Sequence, residues 1–176
     1  MNENLSPISS EAQDNSAKPL DFNSLENQYR AWFIGDKFQK YYAKHFSHIE
    51  LKKSISGFNF GAFFFGPIWM IYRKMYVYGL AYFILITVFN IVLSFLEISA
   101  ALDRGISIGI SVALAMSGNT LYRYYVDQKV KHLIQSTEPF NLENMLKQQG
   151  GTAFWVALCV LIITLVLLAL GLYLEE

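Results

Sequence analysis

The sequence predicts an all-α membrane protein: three transmembrane helices, a short Gly-Pro-broken intramembrane or interfacial helix, and cytoplasmic amphipathic helices. Two observations carry that prediction. The 176-residue chain is 53% hydrophobic and only 16% charged, whereas a soluble domain averages about 25% charged residues. The charge is missing from three uncharged blocks, residues 75–96, 105–122 and 150–174. A helix rises ~1.5 Å per residue and needs ~20 apolar residues to cross ~30 Å of hydrocarbon, and each block approaches or exceeds that length. The run LCVLIITLVLLALGL, from Leu158 to Leu172, is apolar all round and lacks the polar face of a soluble bundle helix. The second block has the weakest signal, because Ser107, Ser111, Ser117 and Asn119 interrupt it.

Residues 1–24 hold two Pro, many Ser and Asn, and four acidic residues against one Lys. Such a segment cannot bury a core and is expected to be a disordered tail. It lacks the basic-then-apolar order of a signal peptide, so insertion is expected to use the internal helices. Residues 25–56 read as basic, aromatic cytoplasmic helices, two short ones separated by Gly35, with Asp36 as the expected N-cap of the second. In that second helix Lys37, Lys40 and Lys44 recur on one face, and Phe38, Tyr41, Tyr42, His45 and Ile49 fall mostly on another. A basic, aromatic amphipathic helix is expected to lie along the anionic leaflet. Three Lys are too few to argue for a nucleic-acid partner, although basic and aromatic residues do grip single strands.

Orientation follows from Lys and Arg. Residues 25–74 hold eight of them against three acids, and residues 97–104 hold one Arg against two acids. Arg123, Lys129, Lys131 and Lys147 follow the second block, and Glu175-Glu176 follow the third. The positive-inside rule then places the N-terminus and the 123–149 connection in the cytoplasm and the C-terminus outside. Residues 58–72, FNFGAFFFGPIWMIY, begin the membrane domain of residues 57–174. As a fourth span they would put one basic cluster on the wrong side, and fifteen helical residues reach only ~22 Å. Pro67 lacks a backbone donor and biases Gly66 away from helix. A bent element returning to the cytoplasmic side fits, with its irregular backbone packed against the spans and Arg73-Lys74 holding the start of the first span at the surface.

Gly105, Gly109, Ala113 and Ser117 form a stripe of small residues at spacing four in the second block, which suits close helix packing, within the monomer or between two copies. Asn90 and Asn119 are the polar side chains expected to bond across helices. No Asp, Glu, Lys, Arg or His occurs in the three blocks, which argues against a proton-coupled pump or a pore made by one chain. The connection 123–149 continues the second helix with Val126, Val130, Leu133 and Ile134 as its apolar stripe. Pro139 breaks it, Asn141 is the expected cap of a further turn, and Gly150-Gly151 end it. This makes a helical hairpin expected to cover residues 25–72. His45 and His48 lack the further ligands of a zinc site, and the lone Cys159 reads as inert. No phosphate loop, nucleophile elbow or zinc helix is present, so no catalytic, cofactor or metal residue is assigned.

The run FNFGAFFFGPIWMIYRKMY resembles the hallmark of a bacterial membrane family, domain of unknown function 2628. Members carry an aromatic-Asn-aromatic start, an Ala-Phe-x-Phe-Gly-Pro centre and a Trp-x-x-Tyr-Arg-Lys-Met-Tyr end. The matching positions include Asn59, Gly66, Pro67, Trp69, Tyr72, Arg73 and Lys74; Phe58 and Phe60 stand where Trp is more usual. Phe33-Ile34-Gly35, Tyr41-Tyr42, Asn119-x-x-Tyr122 and Gly150-Gly151-Thr152 also look familial. The resemblance implies a small multi-pass bacterial inner-membrane protein and implies no reaction.

Three functions are weighed. The leading expectation is a non-enzymatic scaffold that meets a protein partner through its cytoplasmic face. The second is a transporter or channel component, with Asn90, Asn119 and the Gly66-Pro67 break near a pathway, since interrupted helices often mark substrate sites. The third is a lipid-acting enzyme using Tyr72, Arg73 or Lys74. Expected partners are the lipid bilayer, a cytoplasmic protein, or a second copy of the chain.

Overall fold

The structure, a computed structural model, describes residues 24–50, 57–96 and 98–175. The expected tail, apart from Ser24, lies outside the described residues. Every regular element among them is helical. Helix α1 (Leu25–Ile34) starts where the Ser24 hydroxyl accepts from the Asn27 amide, and it stops at Gly35, whose φ of 77° suits glycine. A π-helical turn, Phe38–Tyr42, runs directly into α2 (Ala43–Glu50). Asp36 does not cap it: the residue before the turn, Lys37, is already helical and no side chain caps it.

Two six-residue helices follow, α3 (Phe60–Phe65) and α4 (Pro67–Tyr72). Neither is long enough to be stable alone, so each depends on its ends and its neighbours. The Asn59 side chain caps α3, and Pro67 sits in the first turn of α4, where its missing N–H costs nothing. Between them Gly66 takes φ 48° and ψ −120°, a backbone that side chains resist. Helix α4 ends in a Schellman turn, with the Met75 amide on the Met70 carbonyl and the Lys74 amide on the Ile71 carbonyl, both at 2.9 Å. Lys74 occupies the left-handed position, φ 60°, where glycine is usual.

Three helices are long and apolar enough to cross a membrane: α5 (Tyr76–Phe95), α6 (Ala100–Ser136) and α8 (Phe154–Glu175). At 37 residues, α6 is ~55 Å long and must project well beyond the hydrocarbon. Its projecting half, with α7 (Pro139–Gln149), clasps α1. Asn141 does not cap α7. Pro139 opens that helix after an extended Glu138, which leaves Asn141 inside the first turn, its amide on the Glu138 carbonyl.

Among the described residues, α5, α6 and α8 pack mainly on the α3–α4 pair rather than on one another: α4 meets α5 and α8, and α3 meets α6. Only 11% of the most apolar stretch of each is buried. The core lies at one end of the molecule, where Phe33, Phe38, Tyr42, Phe46, Trp69, Met70, Tyr122, Val126 and Leu146 close on each other. This corrects the expected role of the basic helix. Its Phe38, Tyr42 and Phe46, each 1% exposed, are buried in the core, where Tyr42 and Phe46 meet Tyr122 of α6, while Lys37, Lys40 and Lys44 stay exposed.

Candidate functional site

The α3–α6 crossing is built on a glycine. A methyl group at Gly118 would sit 3.1 Å from the Ala62 Cβ, so the absent side chain is what lets the two backbones approach. There Asn59 ties the two helices together. Its amide donates to the Ala115 carbonyl at 3.0 Å, its Oδ1 accepts from the Ala62 amide at 3.0 Å, and its Nδ2 donates to Asn119 Oδ1 at 2.9 Å. Asn119, 0% exposed, passes the bonding on, with its Nδ2 3.4 Å from both the Tyr41 hydroxyl and the Gly57 carbonyl. The Tyr41 hydroxyl in turn donates to the Phe58 carbonyl. One polar chain thus joins α6, the α3 cap and the π turn, and in so buried a place each unmade bond would cost about 1–3 kcal/mol. Asn119 bonds across helices as expected. Asn90 does not: it donates to the Ile86 carbonyl of its own helix and is exposed.

Next to this lock, Arg73 is 6% exposed rather than held at the surface. Its guanidinium lies 4.8 Å from the Tyr42 ring, 5.2 Å from Tyr72 and 5.3 Å from Tyr122. Among the described residues, buried Arg73 Nε and Nη1 and the Tyr122 hydroxyl make no hydrogen bond of ordinary geometry. Three ring faces at such distances offset part of the desolvation of the cation, and they explain how it stays buried with no carboxylate beside it among the described residues. Burial pushes the Tyr42 phenol well above its ordinary range, with the Arg73 charge opposing the rise.

The other motif residues hold the same junction. Trp69 packs where Gly61 has no side chain, 2.7 Å from where a Cβ would be, and its ring meets Tyr122 edge-on. The Tyr72 carbonyl accepts from Ala153 at 2.8 Å and the Phe33 carbonyl from Gly151 at 2.7 Å, so the Gly150-Gly151 turn stitches α8 to α4 and α1. Lys74 Nζ reaches the Gln148 carbonyl at 3.1 Å, and the Tyr125 hydroxyl bonds the Lys74 carbonyl at 2.9 Å. Asn59, Trp69, Tyr72, Arg73, Lys74, Asn119, Tyr122, Gly150 and Gly151 therefore meet in one aromatic and amide junction. Gly66 and Pro67 lie at its far edge.

The small stripe is not part of it. Gly105, Gly109, Ala113 and Ser117 are exposed, and methyl groups at Gly105 and Gly109 would meet nothing within 4 Å. Packing within the monomer, the simpler of the two expectations, is therefore overturned for these residues; the tight crossing belongs to Gly118, on another face.

Sequence reasoning placed Tyr41 on an aromatic face without its hydrogen bonds, and it missed Gly118 and a second cluster. Arg30, 6% exposed, pairs two-pronged with Asp127 at 2.8 and 3.2 Å. Arg123 shares that carboxylate and bonds the Phe46 carbonyl. The signal that could have found it is the pairing of an acid with a basic residue four positions earlier on one helix face, Arg123 and Asp127. A groove of about 370 Å³ runs over the cluster, lined by residues including Leu25, Tyr29, Val130, Lys131 and Ile134. Two further hollows flank the α3–α4 pair. One, of about 310 Å³, is lined by Phe64, Gly66, Thr87, Asn90, Ser107 and Ser111, among others. The other, of about 410 Å³, lies between α4 and α8. The His45 ring packs against Tyr41 at a tilt, ring centroids 4.3 Å apart, and no group of three metal-ligating side chains occurs among the described residues.

A family model described as protein of unknown function (DUF2628) matches residues 21–127. That match covers the junction up to Tyr122 and stops short of Gly150-Gly151. No curated protein and no solved structure matches the chain.

Proposed function

The chain belongs to the DUF2628 family, from which no activity is inherited, and we propose that it is a non-enzymatic multi-pass scaffold of the bacterial inner membrane that docks a protein through a cytoplasmic cap. The observation that supports this reading is the one-sided core. Most of the largest buried side chains lie outside the three long apolar stretches, in α1, the π turn, α2, α4, α7 and the projecting half of α6, and that half carries the open groove over Arg30 and Asp127. Its apolar floor of Leu25, Tyr29, Val130 and Ile134, bordered by Glu26 and Lys131, suits an amphipathic segment of a partner. The Lys and Arg distribution supports a cytoplasmic cap and an external C-terminus, and the α3–α4 pair is then re-entrant. The test is a photo-crosslinking residue at Ile134, with one at Leu168 as control, in native membranes. A discrete product from Ile134 alone is expected, and the absence of any adduct at Ile134 sinks the docking reading.

A transporter component is the second reading, favoured by the hollow that brings Asn90, Thr87, Ser107 and Ser111 to the Gly66-Pro67 break. Asn119 is not part of that hollow, being locked to Asn59. Liposome flux that is lost on Asn90→Leu would support it; no flux for any solute class would end it.

A further inference from the structure

We propose that Lys37, Lys40 and Lys44 hold the headgroups of anionic phospholipid, whose acyl chains lie on the exposed phenylalanine rings of α3. The inference rests on α5 and α6 crossing a membrane, and it does not depend on any protein partner.

The level of these lysines is set by what their helix touches. The uncharged stretch of α6 runs to Tyr122, and Arg123 is the next charge. The Tyr41 hydroxyl lies 3.4 Å from Asn119 Nδ2, and Arg123 Nη1 donates to the Phe46 carbonyl at 2.8 Å. The π turn and α2 therefore cross α6 where its apolar stretch gives way to charge, which is headgroup depth for a helix that spans a bilayer. With Phe38, Tyr42 and Phe46 in the core, this helix is anchored in protein, and the lysines are on the side left outside. Residues 35–47 hold one acid, Asp36, against the three lysines, none of which makes an ion pair among the described residues.

The apolar half of the surface is joined to the charged half. The Tyr41 hydroxyl also donates to the Phe58 carbonyl, which ties the lysine-bearing turn to the entry of α3. From there a ladder of rings descends: Phe58 meets Phe60 and Phe63, and Phe63 meets Phe64, with centroids 4.9, 5.4 and 4.9 Å apart. Phe60 and Phe64 are 67% and 70% exposed. Phe64 shares a hollow with Thr87 and Asn90 in the interior of α5, which sets the ladder at hydrocarbon depth. Cations at headgroup depth above open rings at acyl depth match an anionic phospholipid end to end. An acidic soluble protein would meet the lysines but not the rings below them.

The test reconstitutes the full chain in phosphatidylcholine vesicles doped with photoactivatable phosphatidylglycerol or, separately, phosphatidylcholine, each carrying the same diazirine acyl chain. Adducts on Phe60 and Phe64 are expected to be at least about fivefold more abundant with the anionic probe, the ratio that corresponds to ~1 kcal/mol from a single Lys near a membrane. Adducts on Leu168 and Leu172, at the far end of α8, should not discriminate. Gln at Lys37, Lys40 and Lys44 together should bring the ratio to one without altering the melting temperature in phosphatidylcholine, and Arg at the same three positions should keep it. For the native chain, about 0.5 M salt should remove most of the preference. Equal yields from the two probes, a ratio that survives the triple Gln variant, or the same preference at Leu168 would each overturn the proposal. Loss of the Ile134 crosslink in that variant, with no lipid preference in the native chain, would give the lysines to a protein instead. The two readouts are separate, so either idea can fail while the other stands.

Discussion

The two ends of this molecule are held by different physics. At the capped end Ala62, Met75, Asn119, Tyr122 and Leu146 are each 0% exposed, and polar groups close on one another within 3.4 Å. At the far end of α8, Leu168, Leu172 and Leu174 are 63%, 62% and 74% exposed. In a bilayer such side chains are already in an apolar solvent, so no hydrophobic force draws the helices together. They need the α3–α4 pair only to fix where they emerge. The contrast teaches that stability resides in the cap and its junction, and that substitutions should be felt by place rather than by residue type.

Glycine tests that directly. A methyl group at Gly150 would collide with the backbone carbonyl of Phe33 and would also meet the Leu146 carbonyl at 2.8 Å. Neither is a flexible side-chain end that can move aside. Gly150→Ala should therefore cost ~3 kcal/mol or more, at the upper end of overpacking penalties, seen as a large drop in the melting temperature in detergent. Arg73→Ala comes next at ~3 kcal/mol, since it removes a large side chain from among three rings. Arg73→Met keeps most of the volume and abolishes the desolvated charge, so it should cost about half as much. If Met were as damaging as Ala, the charge itself would be needed and the packing account of the cage would fail.

Asn119→Ala is expected to cost ~2 kcal/mol, because it removes the partner of the Asn59 side-chain amide at 2.9 Å and the donor to the Gly57 carbonyl. Smaller again is a pH effect from Tyr42. Its phenol titrates near pH 10 when unfolded and higher when folded, because burial raises it. A raised pKa means stability is fully present below about pH 10 and is lost as pH climbs toward the folded value. Denaturation curves for the native chain should be flat from pH 7 to pH 9 and fall above pH 10, and Tyr42→Phe should remove part of the fall.

Much of the far end was legible in the sequence, because a block that is apolar all round needs no partner to be recognised. The Gly150-Gly151 stop and the long continuation of α6 were legible for a similar local reason. The cap was harder. Periodicity showed that Phe38 and Tyr42 share a face, but a face that packs on Tyr122 and a face that lies on lipid have the same period. Arg73 was misplaced because a charge beside a span ordinarily stays wet, and only the convergence of Tyr42, Tyr72 and Tyr122 from three elements makes burial affordable. The small residues of α6 were ambiguous, since Gly109 and Gly118 look alike until a neighbour is brought within reach of one of them.

That ambiguity supplies the smallest expected effect and the sharpest form of the comparison. Gly109→Ala places a methyl where nothing lies within 4 Å and replaces the poorest ordinary helix former by the best. The monomer should lose nothing, and its melting temperature should stay level or rise by the equivalent of up to ~1 kcal/mol. Gly118→Ala, nine residues on in the same helix, meets Ala62 at 3.1 Å and should cost ~1 kcal/mol as α3 is pushed away. If both were equally harmful, Gly109 would have to be covered by something outside the monomer. Crosslinking of a cysteine at Gly109 to its counterpart in a second copy would then identify the cover, and the far end would be held by protein after all.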